Sequence, residues 1–193
     1  MLRMFTEALG QYLISRLSGL PEKPVVTYAL PGAARDRDAL NVYMTSMEEA
    51  LELRTNEQRY ERRGLEWITA QPPLRLRCAY IVSAWPASGD PAEAALAQLR
   101  LLNAAYKVIA KLKTMPPAAL PDPMKGQGLP LPVISLAKDE LSSRPEFWIS
   151  AGCAFHPAFA FAATLSLPVE EDQYDYVVEE VITDYYINGE PAK

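Results

Sequence analysis

Histidine, cysteine and long apolar runs are scarce in this chain, and each scarcity removes a class of function. His156 is the one histidine among 193 residues, so a zinc site built on two histidines is excluded. Cys153 and His156 have the spacing of half a metal site, C-x-x-H, but no second pair completes it. The same two residues are too close in sequence for the usual spatial pairing of a cysteine nucleophile with its base. Cys78 is the only other cysteine, and a secreted disulfide framework would need more of them at tighter spacing. Both are expected to be free thiols in a reducing cytoplasm. No GxSxG elbow offers a serine nucleophile. The stretch MKGQGLP (124–130) has a lysine and two glycines without the order or the following helix of a phosphate loop. No apolar run reaches the roughly 18 residues of a membrane span. The N-terminal MLRMFTEALGQYLISRL carries Arg3, Glu7 and Arg16 where a signal peptide would keep an unbroken apolar core. No catalytic set, cofactor site or metal site is expected.

What is present is the material of a folded core. Hydrophobic residues make up 49 % and charged residues 22 %, the balance of a globular domain. Leu2, Phe5, Leu9, Leu13 and Leu17 recur at helical spacing and predict an amphipathic helix ending near Gly19 and Pro21. KPVVTYAL (23–30) and the first half of ALNVYMTSMEEALEL (39–53) predict strands. The charged RTNEQRYERRG (54–64) suits a solvated strand or an extended arm, and LEWIT (65–69) a short strand. PPLRLRCAYIVSAW (72–85) alternates most clearly: Leu74, Leu76, Cys78, Tyr80 and Val82 fall on one face. Arg75 and Arg77 fall on the other, which is expected to be wet over this first half. Asp90, Pro91 and Glu93 then open a long helix over 92–113. Its two apolar stripes, Leu99–Leu102–Tyr106–Ile109 and Leu101–Ala105–Val108–Leu112, predict burial of much of its circumference.

Seventeen prolines, against the roughly 5 % usual in proteins, break the chain into short pieces. Six of them, with two glycines, lie in 115–132, which is expected to be a loop or an interaction arm. VISLA (133–137) predicts a strand, LSSRPEFWIS (141–150) a short helix, and HPAFAFAATLSLP (156–168) and YDYVVEEVITDYYIN (174–188) further strands, with 188–193 a flexible tail. Together these predict one α+β domain over 1–193. A mixed or antiparallel sheet packs there with an N-terminal helix and one long central helix.

Charge is unevenly placed. The net charge of −5 argues against a nucleic-acid binder. Residues 54–77 hold six arginines against three acids, and residues 170–193 hold eight acids against one lysine. Taken alone, either run is an ordinary solvated face. As opposite patches on edge strands, they suit head-to-tail assembly. The candidate interface residues are Arg54, Asn56, Arg59, Arg62, Arg63, Arg75, Arg77, Glu170, Glu171, Asp172 and Asp175.

The order of these segments resembles the tube-terminator or cap proteins of phage-tail-like contractile injection systems. The resemblance is carried by Glu52, Leu53, Arg54 and Asn56. It is carried again by Pro72, Pro73, Leu74, Arg75, Leu76, Tyr80, Ile81, Val82, Ala84 and Trp85, then by Asp90 and Pro91, and by HPAFAFAATLSL in the place of the late strand. The chain departs from the pattern at Leu101-Leu102-Asn103, and His156 stands where arginine is common. The resemblance implies a tail-terminator-like fold and a structural, non-enzymatic part. That part is a six-membered ring of like subunits which ends growth of the inner tube and ties the last sheath ring to it. Its implied partners are the chain itself, the inner-tube protein and the sheath protein, with no nucleic acid and no direct membrane insertion. Assembly in the cytoplasm is expected. A neck or baseplate adaptor of the same kind of particle is the alternative, and a small ligand-binding protein or enzyme a more distant one.

Overall fold

The computed structural model describes residues 1–32, 36–54, 59–63, 66–70, 72–87, 89–125, 133–137, 144–167, 173–175, 186–187 and 190–191. In chain order they form α1 (Leu2–Arg16), β1 (Val25–Thr27), β2 (Ala39–Glu49), β3 (Arg59–Arg63), β4 (Glu66–Ala70), β5 (Leu74–Trp85) and α2 (Pro91–Lys111). Then follow α3 (Asp122–Lys125), β6 (Val133–Ala137), α4 (Pro145–Ser150), β7 (Ala158–Leu167), β8 (Gln173–Asp175), β9 (Tyr186–Ile187) and β10 (Glu190–Pro191). The chain divides into two compact units, Met1–Arg54 with Leu74–Leu167, and Thr55–Pro73 with Pro168–Lys193.

The first unit is built on a five-stranded sheet of order β1-β2-β5-β7-β6. β1 runs parallel to β2, and the remaining pairs are antiparallel, so the sheet is mixed as expected. β5 lies at its centre, paired with β2 from Leu76 to Trp85 and with β7 from Leu74 to Ser83. The alternation legible in β5 sets which side chains meet the helices. Cys78, Tyr80, Val82 and Ala84 join Leu40 and Val42 of β2 and Phe161, Ala163 and Leu165 of β7 in one buried cluster. Phe5, Leu9 and Leu13 of α1 and Leu101, Ala105 and Ile109 of α2 close that cluster from above. Each such leucine or phenylalanine contributes about 2 kcal/mol by leaving water. Tyr80 and Phe161, opposite each other in register, stack with ring centroids 5.0 Å apart. On the other face of β5, Trp85 stacks on His156, which in turn lies against the buried Trp148 of α4.

Helix starts follow the sequence closely. Asp90 Oδ2 accepts a hydrogen bond from the Glu93 backbone N–H at 2.8 Å, and Pro91 occupies the first turn. α1 closes with the Leu17 N–H bonded to the Leu13 carbonyl, and Gly19 then takes a φ of 74° that turns the chain toward β1.

Three expectations are corrected. Arg75 does not lie on a wet face: it is only 7 % exposed, although Arg77, two residues further along the same face, is exposed. The segment 115–125 is not an arm, since Met115, Leu120 and Met124 insert into the core around a helical turn at Pro117–Ala119 and α3. Proline shortens the helices there without preventing packing. Residues 126–132 lie outside the described residues. Finally, the buried face of α2 draws on both expected stripes, Leu101, Ala105 and Leu112 with Ile109, and the rest of the circumference is not buried. Leu96, Leu99 and Tyr106 stay 64 %, 56 % and 45 % exposed.

The second unit holds a three-stranded antiparallel sheet of order β3-β4-β8 and the pair β9–β10. Glu190 and Pro191 pair with Ile187 and Tyr186, so part of the expected C-terminal tail is a strand.

Candidate assembly surfaces

The charged residues singled out in the sequence separate into three settings. Arg54 is exposed, with Nε 3.7 Å from Glu49 Oε1, a long surface pair of little energetic weight. Arg59, Arg62 and Arg63 lie on β3, one edge of the three-stranded sheet, and Asp175 lies on β8 at the other edge, opposite Trp67 of β4. Among the described residues, the arginine-bearing β3 and the strand that carries Asp175 thus form opposite edges of one small sheet. Edge strands leave backbone donors and acceptors open on one side. Arg77 is exposed on the central strand, opposite Glu48 of β2, whereas Arg75 is buried. Arg75 and Arg77 therefore belong to no edge: the edge-strand reading of 54–77 holds for β3 and not for the start of β5. Asn56, Glu170, Glu171 and Asp172 lie outside the described residues.

A further charged surface lies outside the candidate interface residues named above. The end of α1 and the second half of α2 enclose a groove of about 440 Å³. Tyr12, Ala104 and Val108 line it with partly buried apolar surface, and Arg16, Arg100, Lys107 and Lys111 stand exposed around it. No acidic residue lines it, and among the described residues none of these four cations has an ionic partner. The Arg16 guanidinium lies 5.4 Å from the Tyr12 ring centroid, within cation–π range. On α2 the groove is continuous with the exposed Leu96–Leu99–Tyr106 stripe, since Arg100, Asn103 and Lys107 fall on neighbouring helical positions. The signal in the sequence was Arg100, Lys107 and Lys111 recurring at helical spacing. Their convergence with Arg16 depends on how α1 packs.

His156 and Cys153 each have other neighbours. His156 is stacked 4.1 Å from Trp85, centroid to centroid, and burial lowers its pKa, which favours the neutral ring. The Cys153 sulfur faces the Pro31 carbonyl, and burial raises its pKa, which favours the thiol over the thiolate. Among the described residues no three histidine, cysteine, aspartate or glutamate side chains converge as metal ligands, and no helix is long and apolar enough to cross a membrane.

Two solved structures share this architecture. The fold is similar to the sheath/tube terminator of an extracellular contractile injection system, PVC, in its extended state. The TM-score is 0.66 at 16 % identity, covering 97 % of this chain and 63 % of that one. It is also similar to the anti-feeding prophage tube-terminating cap, with a TM-score of 0.68 at 15 % identity over 93 % of this chain and 59 % of that one. The chain thus spans about three-fifths of the length of either structure. Residues 5–178 match the Pvc16 N-terminal domain, and the chain belongs to that family. The tube-terminator resemblance and the α+β fold expected from the sequence are both borne out. Comparison with curated protein sequences gives no match.

Proposed function

We propose that this protein is a structural cap, or tail terminator, of a contractile injection system. It forms a closed ring of six like subunits that ends polymerisation of the inner tube and joins the last tube ring to the last sheath ring. The carrying observation is the family match over residues 5–178. The shared fold with two terminator structures supports it. A tube grows by repeating one set of contacts between rings. A terminator satisfies the open contacts on one side and offers no repeat on the other. Open sheet edges and separated charge suit such a part better than a converging polar pocket would, so the role is structural and needs no cofactor. The partners are further copies of the chain, the tube protein and the sheath protein, met in the cytoplasm of the producing cell. The strand Arg59–Arg63, Arg54, Asn56, Arg77 and the acids Glu170, Glu171, Asp172 and Asp175 are the contact candidates.

Electron microscopy of particles from producing cells with and without the chain tests this reading. Tubes and sheaths of uneven length, open at one end in its absence, are the expected result. Uniform, closed particles in its absence would move the chain to an adaptor position.

A further inference from the structure

We infer that the groove between α1 and α2 is the receiving half of the subunit–subunit contact. It takes up the acidic C-terminal segment, residues 170–184, of a second copy of this chain. The inference rests on the cap reading, because a closed ring of identical subunits joined head to tail needs two different surfaces on each copy that fit each other.

The groove supplies one of those surfaces. Arg16, Arg100, Lys107 and Lys111 concentrate positive charge on a chain whose net charge is −5. Copies with that net charge repel unless oppositely charged patches meet. The segment 170–184 holds seven acids and no lysine or arginine, the densest acidic stretch in the sequence. Its composition matches the surface in a second respect. Tyr174, Tyr176, Val177, Val178, Val181 and Ile182 are interleaved with Asp175, Glu179, Glu180 and Asp184. The groove is likewise mixed: its cations flank the exposed Leu96, Leu99 and Tyr106 of α2. An apolar centre free of charge with a charged rim is the usual make-up of a protein interface. The charge pairing selects the partner and its register, and the apolar stripe supplies the area removed from water.

The test is zero-length carbodiimide coupling on assembled particles, followed by peptide mass spectrometry. Amide bonds from Lys107 or Lys111 to carboxylates of 170–184 are expected. Particles are then made with two co-expressed copies, one carrying K107R and K111R with its acids intact, the other carrying intact lysines with all seven acids of 170–184 changed to amides. Coupling from the lysines of the second copy to the acids of the first is expected, and only a contact between copies produces it. The R100E/K107E variant should lower the fraction of capped particles about tenfold, and adding E179K/E180K to the same chain should restore it. Several results overturn the inference: coupling in wild-type particles that vanishes in the mixed ones, groove lysines coupled to tube or sheath acids, or no coupling at all. Absence of the chain from every particle would sink the cap reading itself, whereas its presence without groove coupling sinks only this assignment.

Discussion

The hydroxyl of Thr6 on α1 lies 3.0 Å from the hydroxyl of Tyr80 on β5, and this contact ties the first helix to the central strand inside an apolar core. Thr6 Oγ1 also donates to the Leu2 carbonyl at 3.0 Å, so the Tyr80 hydroxyl is left to donate to Thr6. Burial pushes the Tyr80 pKa up to about 12, well above the unfolded value near 10. The folded state therefore favours the protonated phenol. This stability is present in full below pH 10 and is lost as pH rises toward 12, on the order of 2 kcal/mol in all. Tyr80→Phe keeps the stack on Phe161 and should cost about 1 kcal/mol at neutral pH. It should also flatten the alkaline decline seen in urea melts at stepped pH. Burial raises Tyr28 and Cys78 as well, so a residual slope remains. An unchanged slope in the variant would show that Tyr80 is not the group that titrates.

Gly32 is required by backbone approach. It takes a φ of 138°, and a Cβ there would stand 2.6 Å from the Ala151 carbonyl oxygen, a backbone atom that cannot swing away. Gly32→Ala is expected to destabilise the first unit by about 2 kcal/mol, from backbone strain and the clash together. Gly19, with a φ of 74° and no atom near the same position, isolates the first part: Gly19→Ala should cost only about 1 kcal/mol. Equal losses for the two variants in denaturant melts would remove the close approach from the argument.

His156 sits between Trp85 and Trp148, and its pKa is lowered by burial, which outweighs the opposite pull of the Ala154 and Phe155 backbone. The unfolded chain then binds the proton more readily than the folded one. Stability is complete above the unfolded value of about 6.5 and falls as pH drops through the folded value. His156→Phe keeps a ring for Trp85 to stack on and removes the titration. The difference in Tm between wild type and variant should shift in favour of the variant between pH 7 and pH 5, read by tryptophan fluorescence. Parallel curves across that range would mean the ring is solvated.

The parts of the fold that were legible are those whose signals are local. Asp90, Pro91 and Glu93 announce the start of α2 within four residues, and the alternation from Leu74 to Val82 assigns one face of β5 to the core. What was not legible depends on what covers a face. Alternation puts Arg75 and Arg77 on the same side of β5, but it does not report what covers that side, and Arg75 is buried while Arg77 is exposed. Leu99 and Tyr106 share an apolar stripe with Ile109, yet only Ile109 is buried, and which part of the stripes meets the sheet is a tertiary fact. Proline density hid the packing of Met115, Leu120 and Met124, because proline limits helix length without limiting burial. One local signal was overlooked: Asn188-Gly189, the dipeptide favoured in two-residue hairpin turns, separates β9 from β10. The cationic groove drew on residues 12–20 and 100–111 together, so neither stretch announced it alone.

The edge strand β3 gives the last prediction. Arg59–Arg63 holds three arginines and one glutamate, and the strand has β4 on one side and an open edge on the other among the described residues. Arg59→Glu with Arg62→Glu reverses the sign of that edge and leaves its backbone pairing with β4 intact, since the ladder from Arg59↔Ala70 to Arg63↔Glu66 is made by main-chain groups. If the edge meets an acidic surface in the particle, the double variant should fold with an unchanged Tm and yield fewer capped particles. Raising salt from about 0.05 M to 0.5 M should weaken wild-type assembly in the same direction, because exposed charge pairs are screened over roughly 10 Å at 0.1 M. Adding Arg54→Glu should have a small further effect, since Arg54 already has Glu49 nearby. Normal capping by the folded double variant at low salt would assign these arginines to solvent. The assembly contacts would then rest on the apolar and groove surfaces of the first unit.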